Sequence, residues 1–567
     1  MTANAPQTRE PVSLDEAVSH VRPGDVLHIA TGHTRWTAAA RAVVRRFWDQ
    51  DPGFTLVMLS LSSLGALFFE GRLVRKVITG YSGDIFPNFT PNPIFSAAYE
   101  SGAVEVEHWS FLSYLQRLEA AARGYPALVT GSIAGSSMEA NDGFATVKNP
   151  FGAGKIGLVA PLRPDVALVH AAVADTAGNV AFNAPDLEGF YGAWAAERGV
   201  IVTVEKIVDD LRPWSHFVRL PAHRVLALSE APMGAHPGGL FARDLPVQPY
   251  GEDIEFWAEA RAASRSDDFF GWIRHWVLEP ESHQEYLDRL GLERIGDLHS
   301  RAESDSWRFD AAAHPADFAA PINAWERATV FGARYLAGRI LDTDAHAVLA
   351  GAGVANLATW LGVRLAREKG SQVKLTAELG LWDYEPTPAD PYVFNHRSFP
   401  SATMLTDAET VLGMVIPGPG TRTLACLGAA LIDKRGNVNS TVTPSGQFLV
   451  GSGGGNDVAS TVEEAIVVTT LTERRTVDDV GFVTSPGHRV RALATDLGLF
   501  EKDADGELVL TAVPEGDGTL ADRVAAAKAA CGWNVRVADT VVELTPPTMS
   551  EIEILRTWDP QGVFLRA

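Results

Sequence analysis

"LGAALIDKRGNV" (Leu427–Val438) and "VHAAVADTAGNV" (Val169–Val180) carry one phrase twice: an apolar strand that runs into an Asp and then a Gly-Asn turn. Asp and Gly-Asn at a strand end are common turn devices, so the phrase marks a repeated structural unit. The pairing extends outward. "GDVLHIATG" (Gly24–Gly32) is a short apolar strand ending in a Gly loop, followed by the helical stretch "TRWTAAARAVVRRFW". "HAVLAGAG" (His346–Gly353) ends similarly and leads into "ANLATWLGVRLAREKG". Each half then reaches another strand, "FTLVMLS" (Phe54–Ser60) and "VKLTAELG" (Val373–Gly380). Strand, loop, helix and strand in that order is a βαβ unit, which implies parallel pairing and right-handed crossovers. Further along, "GVIVTVEKIV" (Gly199–Val208) answers "EAIVVTTLTE" (Glu464–Glu473). The expected fold is α/β: two related open α/β domains with mostly parallel sheets.

Between the copies the texture changes. From about Tyr250 the chain turns helical and acidic, with "EDIEFWAEARAASR", "DFFGWIRHWVL" and "QEYLDRLGLERI". Trp, Phe and Leu recur there at helical spacing, which predicts core and interdomain packing. The stretch "SRAESDSWRFDAAAHPADFAAP" (Ser300–Pro321) reads as the connector. The expected partition is therefore residues 1–249, a helical extension and linker over 250–320, and residues 321–567. Near the start, "SLDE" (Ser13–Glu16) fits a capping box before a first helix.

A chain of 567 residues with 46% hydrophobic and 21% charged residues is expected to be an ordinary soluble globular protein of several domains. Its formal charge of −22 argues against binding to nucleic acid or anionic membranes, both of which need basic surface. A phosphorylated ligand stays compatible with that charge, because backbone N–H groups can hold phosphate. The N-terminal stretch is polar, so no signal peptide is expected, and the apolar runs are too short and broken for a membrane span. Two cysteines, Cys426 and Cys531, suit a reducing, cytoplasmic setting and a role as buried hydrophobes. The fifteen histidines show no metal-ligand spacing, so no metal is expected.

A duplicated scaffold separates structure from chemistry. Features shared by both halves, Asp175/Asp433 and Gly178-Asn179/Gly436-Asn437, are assigned to the fold, although Asn437 and Asn439 could also face a ligand. Two features belong to the second half alone. Glu378 in "LTAELG" sits at the end of an apolar strand, where a lone buried carboxylate is costly. "VGSGGGNDVAS" (Val450–Ser460) packs four glycines into residues 451–455, between a strand and a helix. Glycines let a backbone approach a ligand and aim several N–H groups at one place. Both features map to the carboxyl ends of strands, where open α/β sheets bind ligands. Together they supply a nucleophile and an oxyanion cradle.

With these motifs in order, the chain resembles a class I CoA-transferase with its α and β subunits fused. "VANLATWLGVRLA", "LTAELG", "LGAALIDKRGNVNST", "GSGGGNDVAS" and "FVTSPGHRVR" are similar to β subunits of the glutaconate CoA-transferase type and of IpdAB-like hydrolases. "RPGDVLHIATG", "LVAPLRPDVALVHAAVADTAGNV" and "YGEDIEFWAEARAASR" resemble the α subunits. The resemblance implies that Glu378 is the nucleophile and that Gly451, Ser452, Gly453, Gly454, Gly455 and Asn456 contact CoA and donate N–H groups. It implies acyl-CoA and a carboxylic acid as substrates, coenzyme A as a substrate rather than a tightly bound cofactor, and a dimer of fused chains. The expected reaction runs through a glutamyl-CoA thioester, with Glu378 ionised at neutral pH from a reference pKa of about 4.3. The alternatives are a CoA-thioester or ring-opening hydrolase, for which Glu107 and His108 could supply a base, and a non-catalytic acyl-CoA-binding protein. The acyl pocket is expected between the halves, lined partly by Gly32–Arg35. His33 and Thr34 there, and His396 and Arg397 in "FNHRSFP", are further candidates to touch substrate, the latter two by holding an acidic acyl chain or a CoA phosphate.

Overall fold

The computed structural model describes residues 10–30, 38–188 and 190–566. Seven parallel strands form the first large sheet: β1 (Val26–Ile29), β2 (Phe54–Val57), β3 (Val74–Thr79), β4 (Glu105–His108), β5 (Val166–Asp175), β6 (Gly199–Val208) and β7 (Val225–Glu230). Their order across the sheet is β4-β3-β2-β1-β5-β6-β7. Two short antiparallel strands, Val180–Ala181 and Val218–Leu220, extend it at the end of β5. The second large sheet has a parallel centre of β8 (Ala347–Ala350), β9 (Lys374–Ala377), β10 (Thr423–Leu427), β11 (Glu464–Val468) and β12 (Val490–Ala494), in the order β9-β8-β10-β11-β12. This is the order β2-β1-β5-β6-β7 over again, so the repeat visible in the sequence is a repeat of strand topology.

The central strands are buried along nearly their whole length, β5 at all ten positions. Burial on both faces explains their continuous apolar composition, the mark of parallel sheets covered by helices. The crossover helices stand where the periodicity puts them. Ala38–Phe47 lies between β1 and β2, and Val354–Glu368 between β8 and β9. The latter packs on the long helix Ala324–Thr343, whose first turn is closed by a capping box of Asn323 and Glu326. At the N-terminus, Ser13 caps Leu14–Val18 through the Glu16 amide.

The repeated phrase differs between its copies. In the first it is one unbroken strand, β5. In the second, β10 stops at Leu427, and Leu431–Asp433 leaves the large sheet to pair with Thr476–Val477. Residues between the two sheets form helices at Ile254–Ala263, Phe269–Ile273, His283–Leu290, Leu292–Arg301 and Trp307–Ala313. Their aromatics pack as the helical spacing predicts: Trp257, Phe269 and Tyr286 are buried. Both cysteines are buried free thiols. Among the described residues no helix is long and apolar enough to cross a membrane, and no His/Cys/Asp/Glu cluster could hold a metal ion.

Candidate active site

Glu378 follows the last residue of β9 directly. Gly380, two residues on, has φ +118°, and its α-carbon is pressed against the Thr406 carbonyl so closely that no Cβ fits. Thr406 N–H in turn donates to the Gly380 carbonyl at 2.8 Å. The strand end is thereby fixed, and the Glu378 side chain is aimed at the glycine loop. A Cβ placed on Gly454 would overlap Glu378 Oε2 and stand 3.1 Å from Cδ. The carboxylate therefore rests on the Gly454 α-carbon, a contact that only glycine permits.

The loop is held from the other lobe. Gly451 bridges Tyr81, Ser82 N–H donates to the Val450 carbonyl at 2.7 Å, and Gly453 N–H donates to Gly80 O at 2.9 Å. Phe111 N–H donates to Gly453 O at 3.1 Å. Asn456 is buried, accepting from Ile133 N–H at 2.8 Å and donating to Thr484 O at 2.9 Å. Asp457 accepts from Leu112 N–H at 3.0 Å, at the start of helix Phe111–Arg123. The nucleophile candidate, its glycine cradle and the lobe-to-lobe seam are thus one structure.

The cradle is narrower than its glycine count suggests. Gly451 N–H donates to Ser440 O at 2.9 Å, Gly455 N–H to Ser452 O at 3.1 Å, and Asn456 N–H to Ser452 Oγ at 3.4 Å. With Gly453 spent on Gly80, the Ser452 and Gly454 amides are those without a protein acceptor among the described residues. Two free amides are as many donors as an oxyanion site commonly uses.

Electrostatics correct the expectation that Glu378 is ionised at neutral pH. Glu378 is half-buried with its carboxyl enclosed, and this burial, with the nearby Asp457 charge, pushes it up to about 8. Asp457 itself is raised to about 6 by burial, against the opposing pull of the Leu112 amide and the Ser110 and Ser132 hydroxyls. At pH 7 this environment favours the protonated form of Glu378. His108 closes one side of the loop. Its Nδ1 lies 3.3 Å from the Cβ position of Gly451, and its ring stacks on Phe448 with centroids 5.2 Å apart. Burial lowers His108 to about 4, so it is neutral at pH 7, and neither ring nitrogen has a partner among the described residues.

Other candidates stand elsewhere. Glu107 is locked by Arg117 at 2.7 Å, Lys76 at 3.0 Å and Trp109 Nε1 at 2.7 Å, partners that outweigh its burial and hold its carboxyl low. Asn437 ties its own turn together, donating to Asp433 and accepting from Gly487 N–H, and Asn179 does the same with Asp175 and Ala222. Asn439 is buried and donates to Val442 O and Val480 O. His396 and Arg397 are buried. His396 lies 3.2 Å from Arg301 O; Arg397 meets Ser306 Oγ at 2.9 Å, Asp310 at 2.6 Å and Asp390 at 3.6 Å. They clasp the helical segment to the second lobe instead of facing a ligand from a surface loop. His33 and Thr34, with Gly32–Arg35, lie outside the described residues. Asp457 is the neighbour that motif reading passed over, although it sits inside "GSGGGND".

Comparison with known proteins gives this geometry a context. The profile of the family described as Coenzyme A transferase matches residues 12–225. The chain is 30% identical over 295 residues to the A component of the 3-oxoadipate CoA-transferase of Pseudomonas knackmussii, covering 50% of this chain and 98% of that protein. It is also 31% identical over 152 residues to the B component of that organism's enzyme, covering 23% of this chain and 56% of the relative. An acyl-CoA transferase of Escherichia coli O157:H7, solved as a thioester complex with CoA, shares the fold at a TM-score of 0.64, with 16% identity and 95% of each chain covered. The chain belongs to the CoA-transferase family, as an enzyme of the class I type with A and B parts in one polypeptide.

Proposed function

We propose that Glu378 is the nucleophile of a ping-pong transfer of CoA between an acyl-CoA and a carboxylic acid. The observation that carries this reading is the Glu378 carboxylate lying on Gly454, beside an amide without a protein acceptor. The ionised carboxylate attacks the donor thioester carbonyl; the carbon–sulfur bond breaks, giving a mixed anhydride and CoA thiolate. The thiolate then attacks the Glu378 carbonyl carbon, releasing the donor acid and leaving a glutamyl-CoA thioester. An acceptor carboxylate runs the two steps backward. In this reading the Ser452 and Gly454 amides, free of protein acceptors among the described residues, receive each oxyanion. Residues 80–82, 111–112 and 133 pack on the loop and support the exclusion of water that would hydrolyse the anhydride.

Burial gives the reaction a direction. A carboxylate raised to about 8 is a stronger base than a solvated one, and thioester formation removes its charge from beside Asp457. The covalent intermediate is thus relieved of a like-charge repulsion that the free carboxylate carries. In this reading, residues 1–249 and 321–567 act as the A and B parts, and 250–320 joins them.

The test is incubation with an acyl-CoA and no acceptor, followed by mass spectrometry of the peptide holding Glu378. A CoA adduct on that peptide is expected, discharged by a carboxylic acid. An active enzyme that never acquires it, or that turns over acyl-CoA with water alone after Glu378→Ala, removes the nucleophile reading.

A further inference from the structure

The duplicated turns are built alike but armed differently. In each lobe an Asp carboxylate accepts from the Asn side chain of its turn, and the Asn Oδ1 accepts from the backbone that precedes the last parallel strand. That backbone reads Pro221-Ala222-His223-Arg224 before β7 and Pro486-Gly487-His488-Arg489 before β12. In the first lobe the arginine is consumed by structure. Arg224 donates to the carbonyls of Ala193, Trp194 and Ala196, and the turn interior is the uncharged Thr176-Ala177.

The second lobe leaves the same position unspent. Arg489 is exposed and has no partner among the described residues. The turn interior is now Lys434-Arg435. Lys434 is paired with Asp478 at 3.0 Å, whereas the Arg435 side chain is 63% exposed, with a single carboxylate, Glu507, at 3.9 Å. Lys502 staples the two turns by donating to the Arg435 carbonyl at 2.8 Å and to the Gly487 carbonyl. Their charges are felt by the groups beside them. His488 is lowered by burial and by the charges of Arg489 and Lys502, and Lys502 falls to about 8 through burial and Arg435, against the opposing pull of Asp433. In a chain of net charge −22, two exposed arginines, one with no partner among the described residues and one with a single distant carboxylate, mark a place for an anion.

The patch is continuous with the glycine loop. Ser485 Oγ lies 3.4 Å from the Cβ position of Gly455, and Thr484 O accepts from Asn456. His488 reaches the Ser460 backbone at the far end of the short helix Gly455–Thr461, which spans about 10 Å at 1.5 Å per residue. A ligand bound with its sulfur at Glu378 and a flexible arm leading away would bring a distant phosphorylated end over this ground.

We infer that Arg435 and Arg489 form an anion subsite for the phosphorylated nucleotide end of the CoA thioester. The inference rests on the proposed acyl-CoA chemistry at Glu378, and it names residues that carry neither the nucleophile nor the oxyanion donors. Planar guanidinium groups suit phosphate because they donate in pairs, and surplus exposed charge also draws the ligand in.

The test compares kcat/KM for one acyl-CoA with that for the same acyl-pantetheine, which lacks every phosphate. The wild-type enzyme is expected to prefer acyl-CoA, and to lose that preference as salt is raised. Arg435→Ala with Arg489→Ala should cut the preference by about a hundredfold, roughly tenfold per charged donor, through KM rather than kcat. Arg435→Lys with Arg489→Lys should restore most of it. A wild type without the preference, or a double variant that keeps it or loses activity equally on both thioesters, overturns the subsite. The Glu378 adduct is read separately in the same samples. Its absence from wild type sinks the nucleophile reading, while a lost phosphate preference in the double variant still supports the subsite.

Discussion

Gly454→Ala probes the contact on which the site is built. The backbone at Gly454 has φ −83° and ψ 0°, a conformation open to alanine, so the substitution introduces no backbone strain. The damage is local: the added methyl would overlap Glu378 Oε2, where ordinary contact begins at 3.4 Å. The carboxylate must retreat by about 1 Å or more, and a misplacement of roughly 1 Å costs on the order of a hundredfold in rate. Adduct formation on Glu378, followed by mass spectrometry after rapid quench, should therefore slow by about 10²-fold, with kcat falling in step. The thermal midpoint should stay near wild type, because reduced freedom of the unfolded chain offsets a side-chain shift. Gly338→Ala is the control. It lies in helix Ala324–Thr343 with nothing within 4 Å of its Cβ position, and should be neutral or stabilising by about 0.5–1 kcal/mol. Wild-type adduct kinetics in Gly454→Ala would mean that the carboxylate works from somewhere other than the glycine cradle.

Other perturbations follow from the same electrostatics and packing. Adduct formation should rise with pH up to about 8, where Glu378 ionises. Asp457→Asn, which removes a charge that raises Glu378, should move that limb to lower pH; a profile unmoved in the variant would dissociate the two carboxylates. Glu378 has a folded-state pKa above its ordinary value near 4.5, so its contribution to stability is full below pH 4.5 and lost as pH climbs toward 8. Glu378→Gln should flatten that part of the melting-temperature profile, and an unchanged slope would place the pH dependence in other groups. Arg397→Ala should cost about 3–5 kcal/mol, because it strips a buried cation from Asp390, already raised to about 7 by burial, and from Asp310. Chemical denaturation reads the loss, and relative kcat/KM among acyl substrates should be unmoved. A change in acyl preference without destabilisation would return Arg397 to the substrate site.

How much could be read beforehand depended on whether a feature was local. The parallel strands, their crossover helices and Glu378 at the end of β9 are carried by runs of four to ten residues, and they stand where the pattern puts them. The cradle was legible as glycines but not as donors, because its amides are claimed by Gly80, in the other lobe, and by Ser440 and Ser452 through turns that the glycine pattern does not specify. His396 and Arg397 sit in a polar run that local reading sends to the surface. What buries them is a helical segment about ninety residues upstream, through Arg301, Ser306 and Asp310. The raised Glu378 pKa has the same origin. No neighbour in sequence supplies it; burial in the folded chain does first, and Asp457 adds to it from the first turn of another element.

The two copies differ at the fold position to which the proposed chemistry is assigned. By strand order β2 is the counterpart of β9, and by their registers with the central strands the position of Glu378 is held by Leu59 in the first lobe. Leu59 is wholly buried in the hydrophobic core, as the end of a covered parallel strand should be. Putting a carboxyl at that point incurs the full desolvation of an anion, so the group holds its proton and the fold tolerates it. The same desolvation makes the ionised form reactive when it appears. What the second lobe adds is a loop without side chains at Gly454, close enough to meet the new charge with backbone amides, and clamped by residues 80–82 and 111–112 so that it cannot drift away. A carboxylate without that loop would be only a destabilising substitution, and the loop without the carboxylate would be only a turn. The seam between the lobes holds the two together, so Leu59 and Glu378, equal in register, are unequal in what they can do.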